Sequence, residues 1–247
     1  MEVIRGFGAL EKRALPRVVA TVGSYDGLHV AHRALVERCC NEARRRNIAS
    51  MVITFEPHPR ITLRRDEGLK LLTTLEEKVG LLASLGVDYL FVIDFDKAFS
   101  QLSQEEFLNE YLVEKLGVEC LVMGYNHRFG RDAGGNSKNL IASRHQIDVI
   151  SIEQQFVAEQ KVSSTVVRRT IAEGNMALAH QQLGHPYIII GKVGERIVRI
   201  DNPYKLLPAE GVYDAVIEDQ HYSVEVVGRE IVLPTAAFDN REIVIII

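Results

Sequence analysis

Gly23-Ser24-Tyr25-Asp26-Gly27-Leu28-His29-Val30-Ala31-His32 leaves an apolar run, Arg17 to Val22, and opens a segment with helical spacing. From His32 to Arg46 the residues Leu35, Cys39 and Ala43 share one face. Arg44-Arg45-Arg46 fall where positive charge complements the carbonyl end of a helix. A strand that passes through a glycine-bearing loop into a helix is half of a β-α-β unit, and the pattern repeats outward. Ala49 to Phe55, Tyr89 to Ile93, Cys120 to Met123 and Asp148 to Ile152 read as four further strands. Met51-Val52-Ile53 and Leu90-Phe91-Val92-Ile93 are apolar without alternation, as in a parallel sheet covered on both faces. Thr74 with Glu77, and Ser103 with Glu106, form capping-box pairs that start helices running to Leu85 and Leu116. Gly86 and Gly117 stop them. The spacing predicts a doubly wound α/β domain with a parallel sheet.

Helices follow over Ser164 to Glu173 and Met176 to Leu183. Beyond Pro186 the texture changes to short β-branched runs separated by turn residues: Tyr187 to Val193, Arg196 to Ile200, Gly211 to Glu218, Tyr222 to Val227, Glu230 to Leu233 and Arg241 to Ile247. These predict a small carboxyl-terminal antiparallel β unit, so the expected division is 1–186 and 187–247.

With 247 residues, 47% hydrophobic and 25% charged, the chain has the composition of a globular protein rather than a disordered or fibrous one. No run approaches the ~20 apolar residues of a membrane span, and charges interrupt Met1 to Arg13 where a signal peptide needs an apolar stretch. The expected location is cytoplasmic. The net charge of -4 supplies no basic field for nucleic acid or an anionic membrane, so any phosphate is held locally. Cys39, Cys40 and Cys120 are odd in number and lack metal-ligand spacing, which points to reduced, buried thiols.

Four stretches lie at strand carboxyl ends or helix starts, where open α/β sheets bind ligands. Glycines at 23 and 27 let a phosphate approach the backbone, and His29 and His32 are three apart at a helix start, where free N–H groups favour an anion. The plain alternative is a strand-to-helix turn with surface histidines. There is no Walker loop and no dinucleotide fingerprint. Thr54-Phe55-Glu56-Pro57-His58-Pro59 is a proline-stiffened loop that suits the wall of a planar ligand, or is an ordinary turn. Gly124-Tyr125-Asn126-His127-Arg128-Phe129-Gly130 follows the fourth strand. Ser163-Ser164-Thr165-Val166-Val167-Arg168-Arg169 offers hydroxyls at a helix start and an arginine one turn in. A plain N-cap explains the serines but not Arg168.

Taken in order, GSYDGLHVAH, TFEPHP, MGYNHRFG, SSTVVR and LGHPY resemble the motifs G-x-F-D-G-x-H-x-G-H, T-F-E-P-H-P, V-G-x-D/N-F-x-F-G, S-S-T-x-I-R and L-G-x-P-Y. These belong to the FMN adenylyltransferase module of bacterial bifunctional riboflavin kinase/FAD synthetases, and the resemblance covers about residues 15 to 190. It implies a Rossmann-like nucleotidyltransferase that transfers AMP from ATP to FMN, giving FAD and pyrophosphate with Mg²⁺ and no covalent intermediate. By the same match His29, His32, Asn126 and Arg168 are the expected catalytic residues. Gly23, Tyr25, Asp26, Gly27, Ser164 and Thr165 are expected to hold ATP, and Phe55, Pro57, His58, Pro59 and Phe129 to border the flavin. Asp26 occupies the family's acidic position, with an orienting or metal-linked role. No metal ligand set is expected from the protein itself.

The chain departs from that pattern at Ala31, where the family has glycine, and at Tyr25, His127 and Val166. Its tail lacks the kinase motif G-F-P-T-A-N. Gly191 to Arg196 runs directly towards Pro208 to Tyr213, and Pro234-Thr235-Ala236 comes too late and lacks the Asn. The expectation is a reduced, kinase-inactive barrel that serves packing, partner contact or assembly into a homo-oligomer. Deletion after Pro186 is then expected to affect stability or assembly more than adenylyl transfer. The expected partners are small-molecule substrates, with neither nucleic acid nor membrane. The competing expectation is a flavin- or nucleotide-binding module with weakened catalysis.

Overall fold

The computed structural model describes residues 1–10, 15–65, 67–124, 147–153, 156–157 and 160–247. The chain divides into two compact units. The first comprises Met1–Tyr25, Ala31–Leu69 and Val79–Gln155, and the second Asp26–Val30, Lys70–Lys78 and Phe156–Ile247.

Up to residue 153 the chain forms β1 (Glu2–Arg5), β2 (Val18–Val22), α1 (Val30–Arg46), β3 (Ala49–Glu56), the one-turn α2 (Pro59–Thr62), α3 (Leu75–Ser84), β4 (Tyr89–Asp94), α4 (Gln104–Glu106), β5 (Val118–Gly124) and β6 (Asp148–Ile152). All six strands pair in parallel, in the order β1-β4-β3-β2-β5-β6. The doubly wound sheet is thus present, with one more strand than the five predicted. β2 is buried along its whole length because both faces of the sheet are covered. Val18, Ala20 and Val22 join a core with Met51, Phe91 and Leu112. Val19 faces the other way, with Cys39, Ala43 and Val122. Period-two alternation therefore feeds two cores, and no polar face remains to mark the strand. The three cysteines are free and buried, and burial raises the Cys39, Cys40 and Cys120 thiols, the last to about 11.

Both capping boxes form: Thr74 and Glu77 exchange side-chain and backbone bonds, as do Ser103 and Glu106. The helix after Glu106 continues from Phe107 to Lys115 in the wider π winding, and Leu116 N–H donates to the Tyr111 carbonyl, five residues back. Phe107 and Tyr111 of this stretch each meet the Phe99 ring in a T-shaped contact.

The second unit holds a short hairpin, β7 (Phe156–Val157) with β8 (Gln160–Lys161), then α5 (Ser164–Ala172), α6 (Met176–Leu183) and six strands: β9 (Ile188–Gly194), β10 (Ile197–Arg199), β11 (Gly211–Ile217), β12 (Gln220–Val227), β13 (Glu230–Val232) and β14 (Glu242–Ile246). The six close into an antiparallel barrel in the order β10-β13-β12-β11-β14-β9. Closure removes sheet edges, which is how so short a tail protects its backbone. Val224, Val226, Ile243 and Ile245 fill the interior while Glu225 and Val244 point out.

Candidate active site

The strand order reverses between β2, which leads towards β3, and its other neighbour β5. Ligands of open α/β sheets bind outside the carboxyl ends at such a switch point. Gly23-Ser24-Tyr25 leaves β2 there, and Gly124 ends β5. Tyr25 is 1% exposed, and its hydroxyl lies 2.6 Å from Thr21 Oγ1. Burial pushes the phenol well above its ordinary range, so it is a neutral hydrogen-bonding group. Its ring meets the His32 ring edge-on at 5.2 Å. In the same unit Phe55 packs against Phe95 and Phe99 at 5.3 and 6.5 Å. The Glu56-Pro57 peptide is cis. Pro57 is exposed, and His58 Nδ1 accepts from Arg60 N–H at 3.2 Å, capping α2 over Pro59. Asn126 and Phe129, like His127, lie outside the described residues.

The second unit gathers the loop 26–30, the stretch 70–78 and α5. Asp26 is 3% exposed, and each of its two oxygens is hydrogen-bonded. Oδ1 accepts from Leu72 N–H at 2.8 Å and Thr73 N–H at 3.1 Å, and Oδ2 pairs with Arg168 Nη2 at 2.6 Å. Arg168 Nε donates to the Lys70 carbonyl at 2.6 Å, which leaves Nη1 outside both bonds. Ser163 caps α5. Ser164 Oγ donates to the Asp26 carbonyl at 3.0 Å, while Thr165 is exposed. Gly27 has φ +81°, and a Cβ there would stand 2.5 Å from Leu72 Cδ1, so only glycine fits. Its N–H donates to Thr73 Oγ1 at 3.0 Å, and its carbonyl lies 3.0 Å from His185 Nε2. Three of the five motifs, GSYDGLHVAH, SSTVVR and LGHPY, are thereby joined side chain to backbone around one loop.

His29 follows in that loop, 4% exposed. Burial lowers its imidazole from 6.5 to about 4, opposed by the Asp26 carboxylate. It is a neutral group near pH 7. Among the described residues no three His, Cys, Asp or Glu side chains converge to hold a metal.

Sequence reasoning missed a second buried ion pair. Lys205 Nζ lies 2.6 Å from Glu77 Oε2, both side chains being fully buried. It also donates to the carbonyls of Leu72 and Ile188, each at 2.7 Å. Glu77 Oε1 accepts from Ile190 N–H, and the Tyr187 ring lies 4.3 Å from Nζ. Burial lowers the lysine, opposed by Glu77. In sequence, Lys205 sits among Tyr204, Leu206 and Leu207, whose apolar character is the one signal available.

The chain is 37% identical over 195 residues to the bifunctional riboflavin kinase/FMN adenylyltransferase of Escherichia coli (strain K12), covering 78% of this chain and 62% of that one. It is 35% identical over 209 residues to the protein of the same description from Listeria monocytogenes, covering 79% and 66%. The chain therefore spans somewhat less than two thirds of these relatives. A solved structure described as a macrolide-efflux protein from Streptococcus pneumoniae shares the fold, with a TM-score of 0.83 at 24% identity over 99% of this chain and 88% of that one. No described helix is long and apolar enough to cross a membrane. The model of the FAD synthetase family matches residues 11–166, a range that contains the Asp26 loop, the switch point and the start of α5, and the chain belongs to that family.

Proposed function

We propose that the protein transfers AMP from ATP to FMN, giving FAD and pyrophosphate, and that it does not phosphorylate riboflavin. The observation that carries this reading is the buried Asp26 carboxylate, which ties the loop of His29 to the start of α5 through Arg168. Such a network builds a stiff cradle, and adenylyl transfer needs positioning and charge stabilisation more than acid–base chemistry. Residues 1–186 are read as the transferase and 187–247 as a barrel without kinase activity.

In the reaction an oxygen of the FMN phosphate attacks the α-phosphorus of ATP in line, the new P–O bond forms, and the bond to the β-phosphate breaks, releasing pyrophosphate. His29, neutral when the site is empty, serves as a hydrogen-bond donor and takes up positive charge as the triphosphate arrives. His32, three residues on, completes the pair at the start of α1. Arg168, fixed through Nε and Nη2, presents Nη1 to the nucleotide, with Ser164 and Thr165 beside it at the start of α5. Gly23, Tyr25 and Gly27 shape the backbone on the nucleotide side. Asn126 is proposed as a further catalytic residue beside the nucleotide, and Phe55, Pro57, His58, Pro59 and Phe129 for the flavin end. Asp26 is proposed to orient the loop and Arg168 through its bonds to Leu72, Thr73 and the guanidinium. Mg²⁺ is proposed to reach the site on the ATP phosphates.

Incubation with Mg²⁺, ATP and FMN should yield FAD on chromatography, while riboflavin as acceptor should yield no FMN. Tight binding of FMN or ATP without FAD would instead favour a binding module.

A further inference from the structure

A single peptide group in the second unit carries an opposite charge at each end. The carbonyl of Leu72 accepts from Lys205 Nζ at 2.7 Å, and the N–H of the same peptide, that of Thr73, donates to Asp26 Oδ1 at 3.1 Å. Lys205 spends its three donors on the Leu72 and Ile188 carbonyls and Glu77. The backbone is tied at the same place. Leu71 N–H donates to the Tyr204 carbonyl at 2.7 Å, and Leu206 N–H to the Leu71 carbonyl at 2.8 Å. The stretch 71–73 is therefore bonded to the strand connection of the barrel along one edge and to Asp26 along the other. A cation at a peptide oxygen polarises the group and strengthens its N–H as a donor, most of all where water is absent.

We infer that Lys205 is a positioning residue for adenylyl transfer, holding Asp26, and with it the loop of His29, through the Leu72–Thr73 peptide. The inference rests on the function proposed above. It gives the barrel a part in catalysis without any kinase chemistry. Removal of the chain after Pro186 takes Lys205 away, so on this inference it should lower transfer as well as stability.

Lys205→Met alone leaves Glu77 buried without its cation, a charge that costs stability by itself. The informative comparison is Glu77→Gln against the double variant K205M/E77Q, which differ only at Lys205. With matched unfolding midpoints, the double variant should lose about 10-fold to 100-fold in kcat/KM for ATP relative to E77Q, the range that a small misplacement of reacting groups produces. Equal kcat and KM for ATP in the two folded variants would overturn the inference. A second measurement uses the parent protein. Amide hydrogen exchange should show Leu72 and Thr73 opening together with the barrel strand Ile188–Gly194, and rapid exchange of these two amides while that strand stays protected would also overturn it. If the parent makes no FAD, the functional reading fails, while the exchange measurement still decides whether Lys205 locks the Asp26 peptide.

Discussion

The Asp26 carboxylate and the Arg168 guanidinium meet at 2.6 Å across 142 residues of sequence. Neither residue is explained by the local structure in which it sits. An aspartate inside a strand-to-helix loop and an arginine one turn into a distant helix become one device only when the stretch 70–73 closes over both.

Arg168→Met should therefore be among the most damaging single changes. It leaves a carboxylate that is 3% exposed with amide partners alone. The expected cost is about 3 kcal/mol in urea unfolding, with FAD synthesis down by roughly 10²-fold. Unaltered stability together with unaltered turnover would show that the pair is ornamental.

His29→Ala and His32→Ala should each lower kcat by roughly 10²-fold, about 3 kcal/mol of lost charge stabilisation, while circular dichroism shows a folded protein. Equal turnover in folded variants and parent would remove both histidines from the site.

The His29 imidazole makes stability depend on pH with a definite sign. Its value falls from 6.5 in the unfolded chain to about 4 in the fold, so between these limits the unfolded chain binds the extra proton. The contribution is fully present above 6.5, is lost as pH falls towards 4, and amounts to roughly 3 kcal/mol in total. Urea titrations of the parent and of His29→Gln at pH 7 and pH 4.5 should show the gap between the two proteins shifting against the parent in acid. A constant gap would mean that the ring is solvated.

Ala31 lies in the first turn of α1, where the family pattern has glycine. Ala31→Gly should lower KM for ATP or raise kcat, at a helix cost of about 1 kcal/mol or less. If neither constant moves, the methyl group does not crowd the nucleotide.

Of the tail carboxylates Glu210, Glu218, Glu225 and Glu230, the first two are engaged in structural bonds, as is the hydroxyl of Thr235. Glu210 accepts from Gly228 N–H at 3.0 Å, Glu218 pairs with Arg241, and Thr235 Oγ1 accepts from Ala237 N–H at 3.2 Å. Glu225 and Glu230 are exposed on the barrel wall. Riboflavin and ATP should give no FMN. Formation of FMN that is abolished by mutating Thr235 or one of these glutamates would mean that a kinase site has been rebuilt there.

Much of this architecture is legible in the sequence because its signals are local. Unbroken apolar strands, two capping boxes and stop glycines state the doubly wound sheet, and turn residues between β-branched runs state the barrel. What escaped depends on distance. β1 is only Glu2–Arg5, two of its four residues charged, and takes its place by pairing with β4. The π winding after Glu106, with Leu116 N–H donating to the Tyr111 carbonyl, escapes because the spacing of Phe107 and Tyr111 reads as an ordinary helix. Lys205 and Glu77 are 128 residues apart, and a lysine among turn residues reads as surface until the fold buries it. In the site, the glycines and histidines of the first motif declare a ligand, whereas the bonding of Asp26 to Leu72 and Thr73 is visible only once 70–73 is in place.

The central claim is that the α-phosphoryl group of ATP passes to FMN. Incubating the protein and Mg²⁺ with FMN and ATP labelled at the α-phosphorus, in parallel with ATP labelled at the γ-phosphorus, tests it most directly. The α label should appear in FAD, with one pyrophosphate released per FAD formed and the γ label in pyrophosphate alone. Absence of α label from any flavin product, or transfer of the γ label to a flavin, would contradict it.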